Sequence, residues 1–350
     1  MGVGLPPLFP GYLFSNTAGE GQSFPEGDTM FDAGIIWLRG AVNGLHRKRQ
    51  RERDLRQAIE DVVEIADPLI RLAHRYRRTL GPAVATAMAY CDELVRVIPG
   101  PVRLEPHSYY DDPLVKAVFR SADEMEIVLR NARNHELPGT EEEIFGLLLM
   151  DRTEKTVFGS SRQGDVVLHN VPMQAVTFTN HRIVARAADL EATVTLLKQR
   201  ILEVLAGVAL ERIAALKANL TELRERRQQL GSMYRILCGK PRVFELFCQS
   251  ELAQAEKVRE VKELLGATDE DIDEARKAVE TPDDTLLHLK RIMDFPADTL
   301  VVRPQSQRLD WKNVIVDDRR DTEASVISLA EFTVNRELKR SAVLVRFDRK

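Results

Sequence analysis

Two carboxylates, Asp317 and Asp318, end the apolar run Val314-Ile315-Val316, and Glu337-Leu338-Lys339 follows nineteen residues after Asp318. Acidic groups on neighbouring strands can hold Mg²⁺, and a nearby lysine can assist a metal-bound water in attacking a phosphodiester. Glu337 and Lys339 share a face only within a strand, where side chains two apart point the same way. The surrounding NRELKRS reads instead as a turn between AEFTV and AVLVRF. The same E-x-K spacing recurs at Glu260-Val261-Lys262 in a helical pattern, as expected by chance in a chain that is 30% charged.

Over some 25 residues this pattern resembles the acid/E-x-K arrangement of restriction-endonuclease-like enzymes. The resemblance implies a Mg-dependent nuclease using Asp317, Asp318, Glu337 and Lys339. Charge runs and chance spacings give the same letters.

A second chemistry is phosphate binding. LHRKRQRERDLRQ places Arg47, Lys48, Arg49, Arg51, Arg53 and Arg56 in eleven residues with two acids, a net of +4. Arg71, Arg75, Arg77 and Arg78 form a second cluster. On one continuous helix the clusters would lie roughly 35–40 Å apart and could track a backbone through counterion release. Tyr76 is the one aromatic among them, which gives little base stacking. The chain also carries acidic stretches, with seven acids and two bases over 121–143 and eight acids and two bases over 269–284. A solvated face, or one turned to an acidic protein surface, is therefore the simpler reading of both basic clusters.

Other chemistries lack their signatures. The seven histidines are scattered, with neither H-E-x-x-H nor a Cys/His pair at ligand spacing, so no metal site is expected. No Walker-A loop, dinucleotide fingerprint or G-x-S-x-G occurs, so neither cofactor nor catalytic residue is assigned. Cys91 sits at core spacing with Met88 and Leu94.

The elements that must position these groups follow from periodicity. Residues 1–30 hold six Gly and four Pro with Phe9, Tyr12, Phe14 and Phe24, an arm with aromatic anchors. A helical stripe runs through Phe31, Ile35, Leu38, Val42 and Leu45. It lapses over the basic run and returns at Leu55, Ile59, Val62 and Ala66. Asp67-Pro68, Gly81-Pro82 and Asp112-Pro113 are helix starts, and Pro99-Gly100-Pro101 is a stop; the helix after Pro113 is expected to reach Asn134. Thr140 opens a capping box. Residues 147–186 read as a five-strand antiparallel meander broken at Gly159, Gly164, Asn170-Val171-Pro172 and Asn180.

From 189 to 231 the apolar residues recur at threes and fours through Leu190, Val194, Leu197, Ile201, Leu205, Ala209, Ile213, Leu216, Leu220, Leu223 and Leu230. This is a heptad seam with a stutter near Leu205 and Ala209. A helix of that length needs a long partner, and a second helix over 241–265 is expected to fold back on it after Cys238-Gly239-Lys240-Pro241. Shorter helices follow near 269–280 and 283–293, started at Thr268 and near Thr281-Pro282, then four short strands: LVVRP, WKNVIVDD, SVISLAEFTV and SAVLVRFD.

The predicted fold is α+β and predominantly helical. A small antiparallel β head is built from residues ~147–186 and ~300–348, with a long helical hairpin, coiled-coil-like, inserted between them. The expected divisions are an arm at 1–30, a helical region at 31–135, the head at 140–187 plus 299–350, and the insertion at 189–295. Three cysteines and the lack of a long apolar run point to a reducing, cytoplasmic setting without a membrane span. The expected function is a non-enzymatic scaffold, adaptor or assembly subunit. It would work through helix–helix contacts with a protein partner or a second copy of itself. Nucleic acid is the alternative partner, and a membrane is not expected.

Overall fold

The computed structural model describes residues 49–134, 142–163, 166–239, 251–316 and 324–349. The aromatic arm, the stripe from Phe31 to Leu45, the box at Thr140, residues 240–250 and the pair Asp317/Asp318 lie outside the described residues. The chain divides into two units between Glu52 and Arg53. Of the first unit, residues 49–52 are described; they are helical and exposed.

The second unit opens with helix α1 over 53–66. Ile59, Val62, Val63 and Ala66 bury one face of it. The helix ends because Pro68 disfavours helical backbone at Asp67. Asp67 is extended and accepts from the Leu69 N–H at 3.0 Å, starting a 3₁₀ turn over Pro68–Leu72. Helix α2 then spans Tyr76–Val97, and Gly81-Pro82 is not its start. Pro82 sits in its second turn on the exposed side, so the carbonyl it leaves unpaired faces water. Leu80, Val84, Ala87, Cys91 and Leu94 make the buried stripe. At Pro99 the helix is over, as the sequence predicts. Gly100 has φ +116, and a Cβ there would meet the Leu344 carbonyl oxygen at 2.4 Å, so only glycine fits.

A short strand β1 (Val102–Arg103) pairs parallel to the last strand. After α3 (Ser108–Asp111), Asp112 caps α4 (Pro113–Val118) through Leu114 N–H at 2.8 Å. The expected single helix to Asn134 is interrupted at Phe119-Arg120, and α5 covers Ala122–Arg133. Ser121 caps Glu124 N–H at 3.2 Å while the Glu124 carboxylate accepts from Arg120 N–H at 2.8 Å. This S-x-x-E start signal lies in plain view in the sequence.

The expected meander is one hairpin of two long strands, β2 (Glu143–Gln163) and β3 (Val166–Ala187). Asn170 and Asn180 take φ of 63 and 55 inside β3, where they kink a paired strand instead of turning the chain. Pro172 is tolerated opposite Phe158 because β3 is an edge strand. The last region supplies β4 (Leu300–Leu309), β5 (Ser325–Val334) and β6 (Leu338–Asp348). Glu143 to Met150 of β2 pair antiparallel with Asp348 to Ser341 of β6, so the two β regions share one sheet, ordered β3-β2-β6-β5-β4. The described part of WKNVIVDD, residues 311–316, forms no strand. Val314 and Ile315 make isolated bridges to Ala175 and Leu309, after a turn in which Asp310 accepts from Lys312 and Val314 N–H.

From Ala342 to Phe347 both faces of β6 are covered, which is why this stretch reads as an apolar run. Ala342 and Leu344 face α1, α2 and the later helices; Val343, Val345 and Phe347 face α4 and α5.

Helix α6 runs unbroken over Leu190–Cys238, about 74 Å at 1.5 Å per residue. Helix α7 covers Glu251–Val279 and passes through Thr268, so the expected break at 265–269 is absent. Thr268 bonds back to the Leu264 carbonyl at 2.8 Å instead of capping. Helix α8 (Pro282–Asp294) starts at a capping box between Thr281 and Asp284, and α9 (Pro296–Thr299) leads into β4.

Candidate functional site

The basic residues are the first candidate, and the structure separates them. Arg47 and Lys48 lie outside the described residues. Arg49 and Arg51 belong to the first unit and are exposed. Arg53 and Arg56 are exposed on α1. The second cluster does not continue that helix. Arg71 lies in the last turn of the 3₁₀ element, and Arg75 stands in left-handed backbone (φ 52) before α2.

Two of these arginines are held internally. Glu60 of α1 accepts from Tyr76 Oη at 2.9 Å and Arg77 Nε at 2.8 Å, with Arg71 at 3.4 Å. Arg71 also reaches Glu64 at 2.7 Å. Burial pushes the Glu60 carboxyl up, but hydrogen bonds from Tyr76 and Arg77 outweigh it and hold it below the ordinary value. The partners are thus Glu60 and Glu64, not the acidic stretches 121–143 or 269–284. The link to the latter is a backbone one, His74 N–H to Asp283 at 3.1 Å. Arg75 and Arg78 are exposed and make no ion pair among the described residues.

The predicted seam splits into two environments. Leu197, Ile201, Leu205 and Ala209 are buried in the core that α1, α2, α8 and the sheet share, with Val194 packed at its margin. Ile213 is buried, and Leu190 is exposed at the first turn. Leu216, Leu220 and Leu223 pack instead on Ile272, Ala275, Ala278 and Val279 of α7. Arg227 pairs with Asp269 further along, so the two helices run antiparallel. Leu230 is buried beyond them.

Glu337 and Lys339 lie at the β5–β6 turn, and the carboxylates expected beside them, Asp317 and Asp318, lie outside the described residues. Asn335 and Arg336 both have positive φ, and Glu337 N–H donates to Val334 at 3.1 Å, which makes a two-residue hairpin turn with Glu337 at its end. Lys339 lies 3.9 Å from Glu331 across the β5–β6 pair. Among the described residues, no three His, Cys, Asp or Glu side chains stand where they could hold a metal ion. No family model, curated protein or solved structure matches the chain. Among the described residues, no helix is long and apolar enough to cross a membrane.

Sequence reading missed one feature. Val204, Gly207 and Val208 stand beside the seam on α6 and line an open groove against the sheet. Their spacing of three and four was visible, but the stronger leucine stripe next to it drew the assignment.

Proposed function

We propose that the protein is a non-enzymatic structural subunit or adaptor acting through helix–helix contacts and self-association, with α6 and α7 packing as a coiled-coil-like hairpin. The observation that carries this reading is the far end of α6. Beyond Leu216, Leu220 and Leu223, which pack on α7, Met233 and Ile236 lie three apart on α6 and are 51% and 61% exposed. Apolar groups left open on a long helix are a contact face for another helix. Free thiols at Cys91 and Cys238 support a reducing, cytoplasmic setting. Light scattering on the purified chain should give an oligomer that Met233→Glu/Ile236→Glu dissociates. A monomer at all concentrations would overturn the self-association reading.

A second reading, phosphate-backbone binding, rests on Arg53, Arg56, Arg75 and Arg78, which are exposed and form no ion pair among the described residues. It predicts a steep salt dependence in fluorescence anisotropy with a duplex, weakened in Arg75→Glu/Arg78→Glu. No binding at low salt would end it.

A further inference from the structure

Helix α6 does not sit flush on the sheet. Ile201, Val204 and Val208 face Leu149, Phe332 and Leu338 across a groove of about 710 Å³, a volume suited to a small ligand. Val204 and Leu338 remain 42% and 54% exposed, so this apolar surface lacks a cover within the described residues. At Gly207 an added Cβ would meet nothing within 4 Å, so the helix there presents bare backbone to open space.

The charges around the groove are sorted by end. Arg182 of β3 is opposite Leu149, and Leu149 is opposite Ala342 of β6. Arg340 stands two residues before Ala342, on the same sheet face. Arg200 of α6 completes the basic set. The acids that line the groove are Glu211 and Glu337. Glu211 lies ~16 Å along α6 from Arg200 at 1.5 Å per residue, and Glu337 lies on the hairpin turn below Arg340. Helix and sheet therefore agree on one guanidinium end and one carboxylate end. Arg200 is held by Glu203 at 2.5 Å and Arg340 by Asp151. Arg182 is exposed and has no ion pair among the described residues.

We propose that this groove binds a long-chain aliphatic carboxylate, with the head at Arg182 and the tail along Val204, Gly207 and Val208. The guanidinium fork matches a carboxylate, while the tail needs no hydrogen bonds from an apolar wall. Glu211 and Glu337 repel a carboxylate at the other end and so fix the orientation.

The test uses the full chain and the fluorescent fatty acid cis-parinaric acid, with its methyl ester as the uncharged control. Saturable binding is expected in the wild type. Gly207→Phe, which places a ring in the groove and favours the helix, should weaken it at least ~tenfold without lowering the melting temperature. Arg182→Glu should weaken the acid ~tenfold and leave the ester unchanged. Should Gly207→Phe melt early, Leu338→Glu, at an exposed position, places a charge in the tail's path instead and should give the same loss. The proposal falls if the wild type shows no saturable binding, if neither filling variant reduces it, or if binding occurs to anionic vesicles but not to the free acid. It also falls if the wild type is a dimer that Gly207→Phe dissociates, because the groove would then belong to a second copy.

Discussion

Lys217 of the long helix α6 reaches back to Asp67, its Nζ 2.6 Å from Oδ2, at the point where α1 gives way to the 3₁₀ turn. The other oxygen of the same carboxylate caps Leu69 N–H. One nearly buried carboxylate therefore starts a local turn and ties it to α6.

The cap should dominate that pair. Asp67→Ala removes a helix-start cap and should cost ~1–2 kcal/mol. Lys217 is well exposed, and Lys217→Ala should cost less than ~1 kcal/mol. Urea denaturation of both variants decides this; equal losses would show that the ion pair outweighs the cap.

Along α6 the stability cost should follow the core and not the heptad letters. Leu205→Ala, at a fully buried site shared with α1, α2 and the sheet, should cost ~3–5 kcal/mol. Leu210→Ala, at a site 44% exposed, should stay within ~1 kcal/mol. Denaturant midpoints of the two variants would contradict the packing if they matched.

His181 should make the fold acid-sensitive. Its Nε2 lies 3.1 Å from the Val118 carbonyl oxygen, its Nδ1 3.6 Å from the Glu124 carboxylate, and its ring 4.8 Å from Phe119. Burial pushes its pKa below the ordinary value; Glu124 and the Val118 carbonyl oppose this, while Arg120 adds to it. The unfolded chain therefore takes up the proton first. Stability from this group is complete above about pH 6.5 and is lost as pH falls from there towards the lower folded value. His181→Phe should flatten that part of the stability curve, measured by urea titration between pH 7.5 and 5. An unchanged slope would remove His181 from the account.

Cys91 should be chemically silent. Burial, aided by Asp92, raises its thiol to about 12, and the side chain is closed off from solvent. Cys238 is exposed. Peptide mass mapping after a brief iodoacetamide pulse should find Cys238 modified and Cys91 untouched until denaturant is added. Early modification of Cys91 would mean that α2 opens readily.

Much of the helical framework was legible because its signals are local. The caps at Asp67, Asp112 and Thr281 act within four residues, and the α6 stripe repeats often enough to outweigh any single ambiguous position. The pairing of the two β regions followed from each having too few strands alone. What escaped depended on tertiary context. Asn170 and Asn180 carry turn chemistry but sit inside a paired strand, because the partner strand continues past them. Pro82 looks like a helix start but lies on a wet face where one missing hydrogen bond is made up by water. Thr268 looks like a cap, but α7 has α6 alongside it and continues. The basic clusters were legible as charge and opaque as partners: Glu60 and Glu64 lie on the neighbouring helix, whereas the longer acidic runs drew the eye.

The unbroken passage of α6 from the shared core onto α7 makes it a lever. Its inner half is clamped by α1, α2, α8 and the sheet, and its outer half has α7 for company. From Ile213 to Cys238 the arm is about 37 Å long, so a tilt of ~10° at the clamp swings its end by ~6 Å. A ligand wedged into the groove beside Gly207 would press on the clamped part of that lever, and any tilt it caused would be largest at the far end.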